Sequence, residues 1–219
     1  MKKAYLLNII LICSILLASC SDEDPSERFV YTDVALIESI TQSGTTFRVA
    51  DNNGDVSSLH SEAVLKDEET ELTGKCVVIQ YALDDEKAGN ISLLSASMIS
   101  NFDAYIGSGE DISGWDTDAV HLQSCWSIDR HVVMRAALPY YPENRKVAII
   151  IDEITKNEAF PTAYLYHSLE GAIDTADTFY RTYYIAFDVA AIPESTEWQG
   201  LNIRFYDPEM KNNTITIEF

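Results

Sequence analysis

Short runs of β-branched, aromatic and aliphatic residues recur along most of this chain, and they limit the folds that it can adopt. The runs alternate with turn-forming segments rich in Gly, Pro, Asn and Asp. No segment of ten residues or more shows the periodicity of an amphipathic helix. The pattern therefore predicts strands throughout and an all-β fold.

The first predicted unit covers residues 29–104. Its five expected strands lie at residues 29–40, 45–50, 55–59, 75–83 and 91–99. Asp51-Asn52-Asn53-Gly54 predicts a hairpin turn, because Asn and Gly tolerate positive φ angles. Five strands with a break between the third and the fourth are typical of an OB-like barrel.

The hairpin segment also invites a comparison with a calcium loop. Residues 51–62 place oxygen-bearing side chains at several ligand positions of such a loop. Val56, however, stands where the loop requires glycine, and the flanking segments are predicted strands instead of helices. We therefore interpret the segment as a hairpin, and we predict no metal site and no cofactor.

A second unit is predicted for residues 119–219, after a Gly- and Asp-rich joint at residues 105–118. Seven strands are expected, at residues 120–128, 131–138, 145–154, 162–169, 182–189, 201–206 and 214–219. Their number, spacing and alternation are typical of an immunoglobulin-like β-sandwich. The Cys…Trp…Cys pattern of antibody domains is not present, so the likeness concerns architecture alone.

The N-terminus has the composition of a secretory signal peptide. Two lysines precede a short apolar run, and the run ends in Leu17-Ala18-Ser19-Cys20. This ending is the bacterial lipobox pattern. It predicts removal of residues 1–19, lipidation of Cys20 and membrane attachment through several acyl chains.

An acidic tether, residues 20–28, follows the cleavage point. We interpret its first side chains after the cysteine in two ways; they are Ser21, Asp22, Glu23 and Asp24. They fit a solvated linker that buries nothing. They also resemble the export signal that places lipoproteins of the Bacteroidota on the outer face of the outer membrane. The second interpretation predicts a cell-surface protein, whereas the first leaves a periplasm-facing location open.

The charge of the chain excludes one large class of partner. The whole chain has 15 Lys and Arg residues against 35 Asp and Glu residues, a net charge of −20. The signal peptide carries two lysines and no acid, so the mature chain has a net charge of −22. Nucleic-acid binding needs a basic surface to neutralise phosphates, so no nucleic-acid partner is predicted.

Two cysteines, Cys76 and Cys125, remain in the mature chain beside the lipidated Cys20. They lie in different predicted units, each within an apolar strand. We interpret them as two buried, unreactive thiols, although pairing in an oxidising compartment stays open.

The order of these parts resembles the NigD-like lipoproteins of the Bacteroidota. A lipobox and acidic tether precede a barrel, a joint that leads into Trp126-Ser127-Ile128-Asp129-Arg130, and a terminal sandwich. The segments 163–168, 181–189 and 201–205 look like the last strands of that family. The resemblance covers nearly the whole mature chain and implies an immunity-like role, but it supplies no catalytic or ligand residues.

No catalytic signature is present in the sequence. There is no G-x-S-x-G, H-E-x-x-H or S-x-x-K motif, and the four histidines lack zinc-type spacing. A carboxylate pair for glycoside hydrolysis depends on spatial separation, which the sequence does not reveal. We therefore predict a protein that is not an enzyme.

Aromatic residues are the candidate ligand contacts. Four of them are expected at the surface: Trp115 in the joint, Trp198 beside Gly200, and Tyr140 and Tyr141 in a turn. Such side chains suit sugar stacking or a protein hot spot, although most aromatics of a β protein fill its core. Thr175, within Asp174-Thr175-Ala176, matches a bacterial O-glycosylation pattern in a predicted loop.

These features predict a lipid-anchored envelope protein that acts by binding. The first hypothesis is a protein partner, in a bacteriocin-immunity-like or envelope accessory role. The alternative is a glycan at the cell surface.

Overall fold

The computed structural model describes residues 29–51, 53–85, 89–107, 118–140, 145–169 and 179–219. In these residues the chain is all-β, as predicted, with one short 3₁₀ turn at Pro193–Glu197. The strands are β1 Val30–Thr41, β2 Gly44–Ala50, β3 Val56–Ser61, β4 Cys76–Asp85, β5 Asn90–Met98, β6 Ser100–Asp103, β7 Tyr105–Gly107, β8 His121–Ile128, β9 His131–Pro139, β10 Arg145–Asp152, β11 Thr162–Leu169, β12 Tyr180–Asp188, β13 Gly200–Arg204 and β14 Thr214–Glu218.

The first five strands form a closed barrel in the order β1-β2-β3-β5-β4. The 12-residue strand β1 closes the barrel because it pairs with β4 through residues 30–36 and with β2 through residues 35–41. A register shift between Ile37 and Ser39 accompanies the change of partner, as a β-bulge does where a strand bends. β3 meets β5 in parallel at His60 and Asn90.

The predicted hairpin is confirmed, since β2 and β3 pair antiparallel from Thr45–Ser61 to Ala50–Val56. Inward-facing residues of the five strands fill the barrel. They are Ala35, Ile37, Phe47, Val49, Leu59, Val77, Ile79, Tyr81 and Ile91, together with Leu72 from the segment between β3 and β4.

The second unit consists of two sheets. One has the order β14-β13-β11-β10-β7 and the other β6-β12-β9-β8. Each of the seven strands expected here is present. The sequence predicts that residues 100–104 end the barrel unit and that residues 105–107 begin the joint. They instead form β6 and β7, which pair with β12 and β10 of the second unit.

Among the described residues of the second unit, three strand pairs are parallel: β7 with β10, β11 with β13, and β6 with β12. Immunoglobulin-type sheets are antiparallel, so these parallel pairs do not support the immunoglobulin-like architecture. That part of the expected fold stays a prediction. The two sheets share one apolar core, in which Phe187, Ile149, Ile151, Leu138 and Leu201 are almost fully buried.

The two units meet in a third, smaller apolar cluster. Leu36 and Cys76 of the barrel pack there with Ile128, Val133 and Ala186 of the second unit.

Polar contacts surround this junction. Asn101 bonds to both backbone groups of Cys76, because its Oδ1 accepts from the amide at 2.7 Å and its Nδ2 donates to the carbonyl at 2.9 Å. His131 Nε2 lies 3.0 Å from the carbonyl oxygen of Gly74. The barrel and the sandwich are therefore packed together instead of being linked only by a joint.

No helix in the described part of the chain is long and apolar enough to cross a membrane. The predicted signal peptide, Cys20 and the Ser21–Asp24 segment lie outside the described residues.

Candidate functional site

Two adjoining clefts lie at the junction of the barrel and the sandwich. They enclose about 350 and about 460 Å³, and both are lined by Cys125 and Trp126 of β8. The smaller cleft adds Asp33 and Val34 of β1, Ala50, Asp51 and Ser124; the larger adds residues 53–56, Ser127, Asp129 and residues 216–219. We call the two together the junction cleft.

Trp126 is the aromatic residue of this cleft. Trp126 lies in an apolar strand, a position from which a core residue is expected. The structure instead leaves it half-buried, because β8 is the edge strand of its sheet. One part of the side chain packs against the junction cluster, and the ring also borders both clefts.

Carboxylates line the same clefts as Trp126. Asp33 accepts a hydrogen bond from the Tyr81 hydroxyl at 2.8 Å, and Asp51 Oδ1 accepts from the amides of Asn53 and Asp55 at 2.8 and 3.0 Å. Burial and the bond to Asp33 together raise the pKa of Tyr81, so its hydroxyl remains a donor.

Four acids of the cleft are outside the ion pairs of the described residues. Within the described ranges, none of Asp33, Asp51, Asp55 and Glu218 forms an ion pair. Asp129, the remaining acid of the cleft, is paired with Arg48. The cleft therefore presents negative charge beside an aromatic ring, which is an arrangement that attracts cationic groups.

The two remaining cysteines are both free. Cys76 is fully buried at the junction, and Cys125 lies partly buried at the cleft. Burial raises the pKa of each thiol from 9.0 to about 12. The thiolate is the nucleophilic form, so neither side chain is activated for chemistry, in agreement with the interpretation as unreactive thiols.

The aromatic residues predicted at the surface have different outcomes. The prediction for Trp198 was wrong, because only 2% of this residue is exposed. The 3₁₀ turn before it folds it into the sandwich core, where its Nε1 donates to the carbonyl of Lys156 at 2.7 Å. Tyr140 is exposed as expected. Trp115, Tyr141 and the predicted glycosylation residue Thr175 lie outside the described residues.

Tyr140 belongs to a small group of exposed rings at the end of the sandwich far from the junction. It stacks on Phe179 with ring centroids 4.8 Å apart, and Tyr180 meets the ring of His121 edge-on at 4.8 Å. Sequence reasoning missed Phe179 and Tyr180, because their exposure depends on where β12 begins.

A third cavity lies at the mouth of the barrel and encloses about 760 Å³. Its walls are mixed polar and apolar and come from the β1–β2 turn, the end of β3, and the ends of β4 and β5. The lining residues include Ser43, His60, Glu62, Asp84, Asn90 and Ser92. We call it the barrel-mouth cavity. No group of three or more His, Cys, Asp or Glu side chains in the described part of the chain is arranged to hold a metal ion.

Comparison with solved structures identifies the fold. A protein of unknown function, DUF1344, from Bacteroides vulgatus superposes with a TM-score of 0.65 at 14% identity, covering 87% of this chain and 91% of that one. A NigD-like immunity protein from Bacteroides caccae superposes with a TM-score of 0.57 at 14% identity, covering 86% and 92%. This chain has the fold of that NigD-like protein.

A further neighbour is a protein described as a lipoprotein, from Bacteroides fragilis. Its TM-score is 0.60 at 14% identity, with coverage of 87% of this chain and 98% of that one. The predicted resemblance to NigD-like lipoproteins is thus confirmed at the level of the fold. No protein-family model matches the sequence, and no curated protein matches it.

Proposed function

We propose that this chain is a lipid-anchored envelope protein that acts by binding a basic protein or peptide in the junction cleft. Binding, and not catalysis, is its activity in this proposal. The observation that carries it is the position of Trp126, which borders both clefts together with four carboxylates that form no ion pair in the described residues.

The charge of the chain favours such a partner. A net charge of −20 attracts cationic proteins over long distances, and a cleft with low-dielectric walls focuses that field. Trp126 offers the large, partly desolvated ring that is common at binding hot spots, and a Lys or Arg side chain of the partner can lie over its face.

The fold supports an immunity-like or accessory role. Neighbours with this fold include a NigD-like immunity protein and a lipoprotein. We infer further that the barrel is of the OB type, since its order β1-β2-β3-β5-β4 and the parallel contact of β3 with β5 fit that topology. In the proposed role the chain sequesters a basic toxin-like protein at the cell envelope.

Site-specific photo-crosslinking in cells tests the proposal. A photoreactive phenylalanine analogue replaces Ser124, an exposed residue that lines the cleft; the control position is Tyr180, at the far end of the sandwich. We expect one discrete crosslinked protein, with a basic isoelectric point, from position 124 only. Trp126→Ala should abolish this crosslink. The double variant Asp33→Asn with Asp55→Asn, which removes two negative charges, should abolish it as well. An acidic partner, or an identical product from Tyr180, contradicts the proposal.

Surface placement is a separate part of the proposal, supported by the Ser21–Asp24 tether. Intact cells are treated with protease, and the chain is detected with an antibody against residues 119–219 beside a periplasmic control protein. Loss of the chain with survival of the control supports the cell surface. Protection of both supports a periplasm-facing lipoprotein.

The barrel-mouth cavity favours a second candidate, surface glycan binding. Its hydroxyl, amide, imidazole and carboxylate groups suit the hydroxyls of a sugar, and OB-type barrels bind oligosaccharides with their turn regions. Calorimetry with purified polysaccharides tests it. Saturable binding that Asp84→Asn weakens and Trp126→Ala leaves unchanged would favour this candidate over the protein-binding proposal.

A further inference from the structure

The outer face of the five-stranded sheet is left open by the packing of the two units. The two sheets of the sandwich bury their inner faces against each other. The barrel packs on the other sheet, the four-stranded one, through Ile128, Val133 and Ala186. Among the described residues, the apolar clusters include no outward-facing side chain of the five-stranded sheet. This face is therefore available to a ligand.

Tyrosines dominate the middle of this face. Side chains alternate between the two faces of a strand, and Ala163 and Leu165 of β11 lie in the core. Tyr164 and Tyr166 of the same strand therefore point outward, and both are half-buried. Two tyrosines thus stand side by side along one strand on the open face.

Two further tyrosines extend this face, Tyr105 of β7 and Tyr206 beyond the end of β13. They are 45% and 47% exposed, whereas their chain neighbours Ile106 and Phe205 pack with the core. In the strand ladders Tyr105 pairs with Ile150 of β10, which in turn pairs with a tyrosine of β11. Neighbouring strands lie about 4.8 Å apart, so the rings occupy one continuous surface.

Arg204 adds a cationic group to this surface. It pairs with Tyr164 in the β11–β13 ladder, and its guanidinium lies 5.9 Å from the centre of that ring. Arg204 is exposed and takes part in no ion pair of the described residues. The acids of this face stand at one end, because Asp152 ends β10 and Glu218 ends β14. We call the four tyrosines and Arg204 the tyrosine face.

We propose that the tyrosine face binds an acidic glycan, in which a sugar carboxylate accepts two hydrogen bonds from Arg204 while sugar rings lie against the neighbouring tyrosines. Arginine suits a carboxylate because its planar guanidinium presents paired donors. Tyrosine combines an apolar ring with a polar hydroxyl, which matches the ring faces and the hydroxyls of a sugar.

The negative charge of the chain is compatible with such a ligand. A nucleic acid needs many neutralised phosphates, whereas one arginine suffices for one carboxylate. At physiological ionic strength, exposed charges are screened beyond about 8 Å, so the distant acids of the chain oppose binding only weakly. The tyrosine face is a site separate from the junction cleft and from the barrel-mouth cavity, and it does not depend on the proposed function.

Calorimetry with the mature chain, residues 20–219 with Cys20→Ser to prevent acylation, tests the proposal. The probes are trimers of galacturonic acid and of mannuronic acid, their neutral methyl esters, and hexaglutamate. We expect at least one uronate trimer to bind saturably, and its methyl ester to bind about tenfold or more weakly. Hexaglutamate, which carries carboxylates without sugar rings, should bind more weakly as well.

Four variants locate the binding. Arg204→Gln should weaken it about tenfold or more, and Tyr105→Ala should weaken it severalfold; both side chains are exposed, so both variants should fold. The matched control is Arg135→Gln, because Arg135 is also exposed and its guanidinium also lies 5.9 Å from a tyrosine ring, that of Tyr184 on the other sheet. Arg135→Gln should leave the affinity unchanged, as should Asp84→Asn at the barrel-mouth cavity.

Four results would overturn the proposal. The first is that neither uronate trimer binds saturably. The second is equal affinity for a uronate and its methyl ester, which would show that the carboxylate is not recognised. The third is equal affinity for hexaglutamate, since it would show attraction to any carboxylate polymer. The fourth is an affinity that Arg204→Gln leaves unchanged or that Arg135→Gln lowers equally.

Discussion

Arg48 of the barrel and Asp129 of the sandwich form a two-pronged ion pair across the junction. Arg48 Nε lies 3.2 Å from Oδ2 of Asp129, and Nη2 lies 3.1 Å from Oδ1. Asp129 occupies the β8–β9 turn with φ of 50°, a left-handed conformation that Asp and Asn tolerate better than most residues. The tight turn thus fixes the carboxylate where the guanidinium of the other unit can meet it.

The ion pair predicts a measurable but modest coupling between the two units. The side chains of Arg48 and Asp129 are 25% and 42% exposed, so solvent screens their attraction. In a double-mutant cycle of Arg48→Ala and Asp129→Asn, we expect a coupling free energy of about 1 kcal/mol, which salt should reduce. Urea unfolding measures it, and Asn keeps the turn conformation. Strict additivity of the two changes would show that the pair does not form in solution.

Much of the fold was predictable because it is encoded locally. The turn residues Asp51–Gly54 and the alternation in β9 and β12 specify strands without knowledge of their partners. β6 and β7 were missed, since each is short and its strand character comes from parallel pairing with the distant strands β12 and β10.

The candidate site was largely unpredictable for the same reason. The junction cleft brings together Asp33, Trp126 and Glu218, which are far apart in the sequence. No local pattern shows that an edge strand leaves Trp126 at a cleft, or that a 3₁₀ turn carries Trp198 into the core. Of the properties that bear on partners, the sequence gives only the net charge, which predicts against nucleic acids.

The two tryptophans should differ sharply in their contribution to stability. Trp198→Ala removes a buried ring and its hydrogen bond to Lys156, so we expect a loss of about 3–5 kcal/mol in the free energy of unfolding. Trp126→Ala removes a half-buried ring at a cleft and should cost about 2 kcal/mol or less. Urea denaturation followed by circular dichroism compares them. Equal losses would contradict the assignment of Trp198 to the core and Trp126 to the cleft.

Two turn glycines offer a matched test of the barrel. Gly44 has φ of 142°, and a Cβ there would lie 2.0 Å from the carbonyl oxygen of Ser61. Gly54 has φ of 88°, but a Cβ there would meet nothing within 4 Å. We expect Gly44→Ala to destabilise the chain by about 3 kcal/mol or more, because backbone must move. Gly54→Ala should cost about 1–2 kcal/mol, the conformational term alone. Thermal unfolding separates the two, and the reverse ranking would contradict the packing of the β1–β2 turn against β3.

The raised pKa values of the two thiols predict resistance to alkylation. Since burial raises the pKa of Cys76 and Cys125 to about 12, almost no thiolate forms in the folded chain at pH 8. We expect iodoacetamide to leave both unmodified in the native mature chain with Cys20→Ser, and to modify both in denaturant. Mass spectrometry of the intact protein counts the modifications. Rapid labelling of Cys125 without denaturant would show that the cleft exposes its thiol.

The same two thiols predict how stability depends on alkaline pH. An unfolded thiol releases its proton near pH 9.0, whereas the folded thiols keep theirs to about pH 12. The folded state therefore binds more protons than the unfolded state between these values. The contribution of the two thiols to the free energy of unfolding should have its full value below pH 9.0 and should decrease as the pH rises towards 12. Tyr81, whose pKa is also raised, adds to the decline above pH 10.0. The double variant Cys76→Ala with Cys125→Ala removes both thiols and keeps Tyr81. Comparing it with the parent chain therefore measures the contribution of the thiols to the pH dependence. The stability of the double variant should start lower, owing to lost packing, but fall less steeply with pH than that of the parent chain. Parallel curves for the two proteins would show that the thiols do not carry the pH dependence.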